Sequence, residues 1–466
     1  MRVSKCLRRL RVAGAALVTL CLAWSCMSCS PAAGRLSSAG GVASARPGGV
    51  PSARPGGKAS ARPGAQLWAR TVPRGAGSGE AVSPDGRTLF VAGVLKGHFE
   101  TIAYRAATGA RVWARGYQPA GSSCACFPPY IAVSPDGARV YVTGRTLSAS
   151  GLSEGAATLA YDARTGRQLW VGRYLPQTAY GGLAVSPDGT TLYELGARRV
   201  AGGKWRPAVI AYAAATGKRR WLRAYSRYPG LLTSIAVSPD GNTVYATGSA
   251  DATGSGGHTS SVLAVAYGAA GTLKWTARYD NPYPGGAAGG QIVAAPGGTA
   301  VYVVGSAANK YGHIDTATFA YDAATGKQLW LDRYTSYHGG GQIAVTPDSR
   351  TVIVAGQVGN GRGYALASYN ASTGATQWLK RAAANSPAGL VIDSHGDTVL
   401  VASTQYLPGY DIAAWSVADG TLLWTTRYTG AITWDPVAIA LSGDGTRLLE
   451  TGSGRNGGMI TVAYQD

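Results

Sequence analysis

Short apolar runs broken at regular intervals by turn residues dominate this chain. Tyr130-Ile-Ala-Val133 is a brief apolar run, and Arg139-Val-Tyr-Val-Thr143 alternates apolar and polar positions. Both are strand patterns, because successive side chains of an extended backbone point to opposite faces. Between them lies Ser134-Pro135-Asp136-Gly137. Pro presets φ, Asp tolerates the next position and Gly closes the turn. A third strand is predicted over residues 158–163, and a fourth begins at Gln168-Leu169-Trp170. Thr165-Gly166 reverses the chain between them, with Gly supplying a positive φ.

This four-strand unit repeats. Residues 158–170 read T-L-A-Y-D-A-R-T-G-R-Q-L-W, and residues 318–330 read T-F-A-Y-D-A-A-T-G-K-Q-L-W. Looser copies end at Trp113, Trp221, Trp275, Trp378 and Trp424. The Ser-Pro-Asp-Gly turn recurs at residues 83–86, 186–189 and 238–241, with degenerate forms at residues 295–298, 346–349, 393–396 and 442–445. The eighth copy is split: the chain stops at Val462-Ala463-Tyr464-Gln465-Asp466, and Gly64-Ala65-Gln66-Leu67-Trp68 stands near the other end. A period of about fifty residues with four strands describes a propeller blade. The expected fold is all-β, an eight-bladed β-propeller over residues 66–466 with four antiparallel strands per blade. The strand at residues 66–70 would pair with residues 460–464 and close the ring, removing open edges. The indoles of Trp68, Trp113, Trp170, Trp221, Trp275, Trp330, Trp378 and Trp424 would fill the gaps between blades.

Composition agrees with that reading. The chain has 466 residues, 67 Gly and only 14% charged residues, too few for many amphipathic helices. Its net charge is +20, but residues 1–65 hold ten Lys or Arg and no acid. The remaining basic residues are spread rather than gathered on one element, which argues against nucleic acid as the partner.

The first 65 residues carry the address. Arg2, Lys5, Arg8, Arg9 and Arg11 precede the apolar run at residues 13–24. A basic head and an apolar segment too short to span a bilayer read as a signal peptide. Ser25-Cys26 and Ser28-Cys29 then place a small residue before Cys, which resembles a bacterial lipoprotein processing site. Residues 1–29 are read as that signal, with Cys29 or Cys26 lipidated; ordinary secretion with cleavage near Ala33 is the alternative. Residues 30–65 are read as a disordered Pro/Gly/Ser/Arg linker, in which Ser-Ala-Arg-Pro-Gly occurs three times.

The frame A-x-D-x-x-T-G-x-x-x-W, complete at Ala160–Trp170 and Ala320–Trp330, resembles the tryptophan-docking motif of the eight-bladed quinoprotein (PQQ) alcohol dehydrogenases. Their non-catalytic relatives, including outer-membrane assembly scaffolds, share it. The Ser-Pro-Asp-Gly turns are similar to those of YVTN-type and TolB-type propellers. Elsewhere Arg105, Ala213, Gly268, Asn370 and Ser416 replace the Asp, and the copy ending at Trp275 is one residue short. On its dehydrogenase side the resemblance implies PQQ and a calcium ion held by Glu, Asn and Asp. Calcium takes six or more oxygens, yet carboxylates outside the repeated turns are few and unclustered along the sequence. Those enzymes also place a disulfide of adjacent cysteines over the cofactor, whereas Cys124-Ala125-Cys126 has a residue between.

Candidate chemistry is otherwise sparse. Cys124 and Cys126 are expected to form a strained disulfide clip on their loop. His98 with Glu100, and His313 with Asp315, place two ligands on one strand face, short of the three or four that zinc needs; no metal site is expected. Asp85, Asp136, Asp188 and Asp240 read as turn formers. The variable loop face is rich in Tyr and Gly, with Tyr174, Tyr180, Tyr225, Tyr228, Tyr279, Tyr283, Tyr334, Tyr337 and His338 as candidate ligand-binding residues. A structural role for the recurrent Arg-Tyr pairs is the competing reading. The function expected is a non-catalytic extracytoplasmic binding or scaffold protein, anchored to the membrane by lipid, engaging a cell-envelope protein, peptide or glycan. The alternative is a PQQ-dependent dehydrogenase or a lactonase- or lyase-type propeller enzyme.

Overall fold

The structure is a computed structural model. It describes residues 62–466 except 119–128, 148–152, 175–176, 179–181, 200–204, 252–259, 336–338, 359–362, 384–385, 405–409, 429–437 and 455–457. The described residues form eight antiparallel sheets arranged as a β-propeller. Blade 1 runs from Gly75–Val82 through Thr88–Leu95 and His98–Arg105 to Arg111–Tyr117. Blades 2 to 7 repeat the order and end at strands Gln168–Tyr174, Arg219–Ala224, Leu273–Tyr279, Gln328–Thr335, Thr376–Ala382 and Leu422–Tyr428. Blade 3 carries an extra two-residue strand, Gln177–Thr178, on its inner side.

Blade 8 joins the two ends of the repeat region. Ala438–Leu441, Arg447–Gly454 and Gly458–Gln465 come from the C-terminal end, and Gln66–Pro73 supplies the outer strand. Gln66 lies opposite Tyr464 and Pro73 opposite Gly458. The Gly64 N–H donates to the Gln465 carbonyl at 2.7 Å, and the Gln465 N–H donates to the Ala65 carbonyl at 2.9 Å. The split repeat is therefore made whole by backbone hydrogen bonds, as its sequence requires.

The repeated Trp and Gly form one device. Trp113 lies against Gly166 of the next blade, where an added Cβ would stand 2.6 Å from the indole. Its Nε1 donates to the Ala163 carbonyl at 2.8 Å. The same docking joins Trp68 to Gly109, Trp170 to Gly217, Trp221 to Gly271, Trp275 to Gly326, Trp330 to Gly374, Trp378 to Gly420 and Trp424 to Gly64. Each of these glycines has a positive φ. Only Gly both adopts that conformation cheaply and lets an indole approach its Cα. The decay of Asp elsewhere in the frame is tolerated because the docking uses the Gly and a backbone carbonyl.

The Ser-Pro-Asp-Gly turns gather on one face. Gly137 packs on Pro84, Gly189 on Pro135 and Gly241 on Pro187, while Gly86 meets Gly443 of blade 8. In the first turn the Ser83 hydroxyl donates to Asp85 Oδ1 at 2.5 Å, and the Arg87 N–H donates to the same oxygen at 3.1 Å. These bonds hold the Asp85 carboxyl below the usual range. Asp136, Asp188 and Asp240 repeat the arrangement. They are turn formers, as their positions predict.

Candidate functional site

Several of the candidate tyrosines meet an arginine of the next blade. Each pair runs from one blade's outer strand to the blade before it. Arg278 lies over the Tyr228 ring, its Cζ 4.3 Å from the centroid. Arg333 Nη1 donates to the Tyr279 hydroxyl at 3.2 Å, and its Nη2 pairs with Asp315 at 3.1 Å. Arg173 donates to the Tyr117 hydroxyl at 3.2 Å in the same manner. Tyr174 is half-buried, with Arg219 over its ring at 5.7 Å.

Two more lie inside. Tyr225 was expected on an exposed loop face, but it is only 5% exposed and packs with Leu232, Trp221 and Tyr267. Its N–H donates to the Pro207 carbonyl at 2.7 Å, which extends blade 3 past its outer strand and turns the ring inward. Tyr334 is half-buried against the core between blades 5 and 6, and burial raises its hydroxyl pKa. Tyr283 alone among the described candidates is exposed, at 36%. Tyr180, Tyr337 and His338 lie outside the described residues, as do Cys124, Cys126, Cys26 and Cys29.

The structure singles out three glutamates with buried carboxyls that no local motif marks. Counting from the first residue of each turn aligns the blades. Three positions before it stand Ile131, Leu183, Ile235, Ile292, Ile343, Leu390 and Ile439, but Glu80 in blade 1. Eight positions after it stand Val91, Val142, Ala246, Val303, Val354 and Val401, but Glu194 in blade 3 and Glu450 in blade 8. Three blades thus carry an acid at a position that is otherwise apolar.

Glu194 is provided for. It is 1% exposed, and the Thr143 and Thr158 hydroxyls of blade 2 donate to its two oxygens at 2.7 Å each. Burial raises its pKa while these hydroxyls oppose the rise. Thr143→Val is expected to cost about 2 kcal/mol by leaving Oε1 bare. Urea midpoints would read this, and adding Glu194→Val should recover most of the loss.

Glu450 lacks that help, since blade 7 presents Ala402 and Ile412 where blade 2 presents the two threonines. Its Oε2 accepts from the Tyr464 hydroxyl at 3.2 Å, while Oε1 is buried without a partner. Glu80, from blade 1, brings a second carboxylate to this seam. The Ala440 N–H and the Thr451 hydroxyl face Glu80 and favour its charged form, yet neither reaches hydrogen-bond geometry. Burial foremost pushes Glu450 up to about 8 and Glu80 well above the ordinary carboxylate range.

The described residues offer no calcium or zinc donor set. No three His, Cys, Asp or Glu side chains among them converge. Asp315, paired by sequence with His313, is committed to Arg333 and to the Asn309 amide at 2.8 Å.

The sequence model of the family described as outer membrane protein assembly factor BamB matches residues 58–249 and 160–435. That span is most of the chain. The chain belongs to the BamB family. Among solved structures it is similar to BamB from Moraxella catarrhalis, with 15% identity, a TM-score of 0.54, and coverage of 86% of this chain and 99% of that one. It is similar to quinohemoprotein alcohol dehydrogenase from Comamonas testosteroni, with 16% identity, a TM-score of 0.52, and coverage of 86% and 76%. The C-terminal WD40 domain of Sif2 matches at 10% identity with a TM-score of 0.55, covering 86% and 98%. These likenesses show the shared propeller fold. No curated protein matches the chain.

Proposed function

We propose that this BamB-family propeller is a non-catalytic binding or scaffold protein that engages a protein partner in the cell envelope. The observation that carries the reading is how the ring spends its polar groups. The repeated acids cap turns, and the arginines and several tyrosines clamp neighbouring blades. What remains is a rigid wheel with variable loops, the arrangement on which binding surfaces are built. The family's description, assembly of outer membrane proteins, supports an envelope protein as partner. The basic and apolar leader with Cys26 and Cys29 supports lipid anchoring outside the cytoplasm.

The test is capture of crosslinked envelope proteins on the full-length chain, with lipid labelling of Cys26→Ala and Cys29→Ala variants. A reproducible envelope partner and label loss in one variant are expected. Reduction of a dye with alcohols after adding PQQ and calcium, with a raised melting temperature, would replace this reading by the dehydrogenase one.

A further inference from the structure

Three of the docked Trp residues are followed two positions later by an Arg that clamps the next blade, completely in two cases and incompletely in the third. Arg70, two residues after Trp68, donates from Nε to the Gly109 carbonyl at 2.8 Å and from Nη2 to the Thr108 carbonyl at 2.9 Å. Arg115, two after Trp113, does the same to Gly166 at 3.0 Å and Thr165 at 3.0 Å. Arg223, two after Trp221, keeps the Nε bond to Gly271 at 2.7 Å, and its Nη1 donates to its neighbour Leu222 at 3.1 Å. Its Nη2 has no partner among the described residues.

The cause is a deletion. From Tyr161 to Trp170 is nine residues, but from Tyr267 to Trp275 is eight. The Gly166 N–H reaches back four residues to Asp162, whereas the Gly271 N–H reaches back three to Gly268. The turn is one residue tighter, and the carbonyl before Gly271, that of Ala270, does not accept from Nη2 as those of Thr108 and Thr165 do from their arginines.

A groove of about 640 Å³ between blades 3 and 4 opens there. Arg223, Arg227 and Tyr225 line it, with no carboxylate in its wall. The Arg227 guanidinium has no hydrogen-bond or ion-pair partner among the described residues and lies 5.6 Å from the Tyr228 ring. The Tyr225 hydroxyl, on a side chain 95% buried, makes no hydrogen bond although Thr276 stands beside it. Arg278, the nearby cation on blade 4, is already paired with Asp280 at 2.5 Å. Two unspent guanidinium edges are donors awaiting an acceptor.

We propose that this groove is a carboxylate-binding site that seats an acidic side chain of an extended peptide segment from the partner protein. The proposal deepens the scaffold reading and rests on it for the word partner. A carboxylate suits the site because a guanidinium edge presents parallel N–H donors that match its two oxygens. An extended segment suits it because Arg219–Ala224 is the outermost strand of blade 3, with an open edge beside the groove.

The test is calorimetric titration of the full-length chain with the peptide Ac-Asp-Glu-Asp-Glu-NH2, its Asn/Gln counterpart, and inorganic phosphate. The acidic peptide should bind, and more weakly at high salt, while the neutral one should not. Arg223→Gln and Arg227→Gln should each weaken binding about tenfold. Insertion of one Thr between Ala270 and Gly271, which restores the longer turn of the other blades, should weaken it likewise with the melting temperature held or raised. Arg350→Gln, at an exposed site elsewhere, should leave binding unchanged. Equal binding of the neutral peptide, indifference to Arg223→Gln and the insertion, or binding of phosphate alone would each overturn the proposal. Partner capture that survives Arg223→Gln would sink the groove and leave the scaffold. Peptide binding without any captured partner would do the reverse.

Discussion

Gly326→Ala should destabilise the protein by about 3 kcal/mol or more, and Gly312→Ala by only about 1 kcal/mol. The two glycines have nearly the same backbone, with φ of +72° and +78°. Both substitutions therefore carry the left-handed strain that an L side chain meets. They differ in what a Cβ would touch. At Gly312 nothing lies within 4 Å, whereas at Gly326 the Trp275 ring lies at 2.5 Å. That indole is fixed by its bond to the Ala323 carbonyl at 2.9 Å and by Tyr245 and Tyr321 packed around it. It must move, and the blade contact moves with it. Urea midpoints of the two variants would read the difference directly. Equal losses would show that the turn, not the docking, is why the repeat keeps its glycine.

Stability should decline as pH rises from about 5 to about 8, and the double variant Glu80→Ile/Glu450→Val should make that decline shallower. Both carboxyls are raised in the folded state, Glu450 to about 8. The folded protein holds protons that the unfolded chain gives up near 4.5. Their contribution is complete below that value and is lost as pH climbs through the folded pKa. For Glu450 alone the loss is on the order of 4 kcal/mol above pH 8. The turn aspartates act in the opposite sense. Asp240 and Asp444 are lowered to about 2, chiefly by the serine hydroxyls that donate to them. Their support is present above about 4 and fades as pH falls toward 2. Melting temperature against pH should therefore peak near pH 4 to 5. The substitutions restore the apolar residues found at these positions in most other blades, and replacement of buried unpaired charge by packed side chains is commonly stabilising. A flat wild-type profile between pH 5 and 8 would show that these carboxyls are solvated at the seam.

The candidate site was less legible than the ring. Tyr228 and Tyr279 read as exposed recognition groups because each follows an Arg at a Tyr- and Gly-rich connection, and those local features are real. Which neighbour an Arg reaches is set by the angle between blades, and no local pattern encodes that angle. Tyr225 went inward because the Pro207 carbonyl captures its N–H and continues the sheet by one residue. Glu80 and Glu450 are 370 residues apart in sequence. Aligning the blades on their turns would have marked both as acids in apolar positions, but the signal lies in the comparison of copies. Their meeting needs the closed ring.

By itself the sequence determined the repeating unit, the count of blades, the split closing blade and the place of the Trp indoles between blades. Those features depend on backbone conformation and on contacts repeated at a fixed spacing, so each copy confirms the others. Only the tertiary structure decided where the repeat departs from itself. Closing the wheel set two carboxyls against each other at blades 8 and 1, and a turn one residue short left Arg223 with an unspent edge between blades 3 and 4. Such partners come from different blades, and their meeting depends on how those blades pack around the ring.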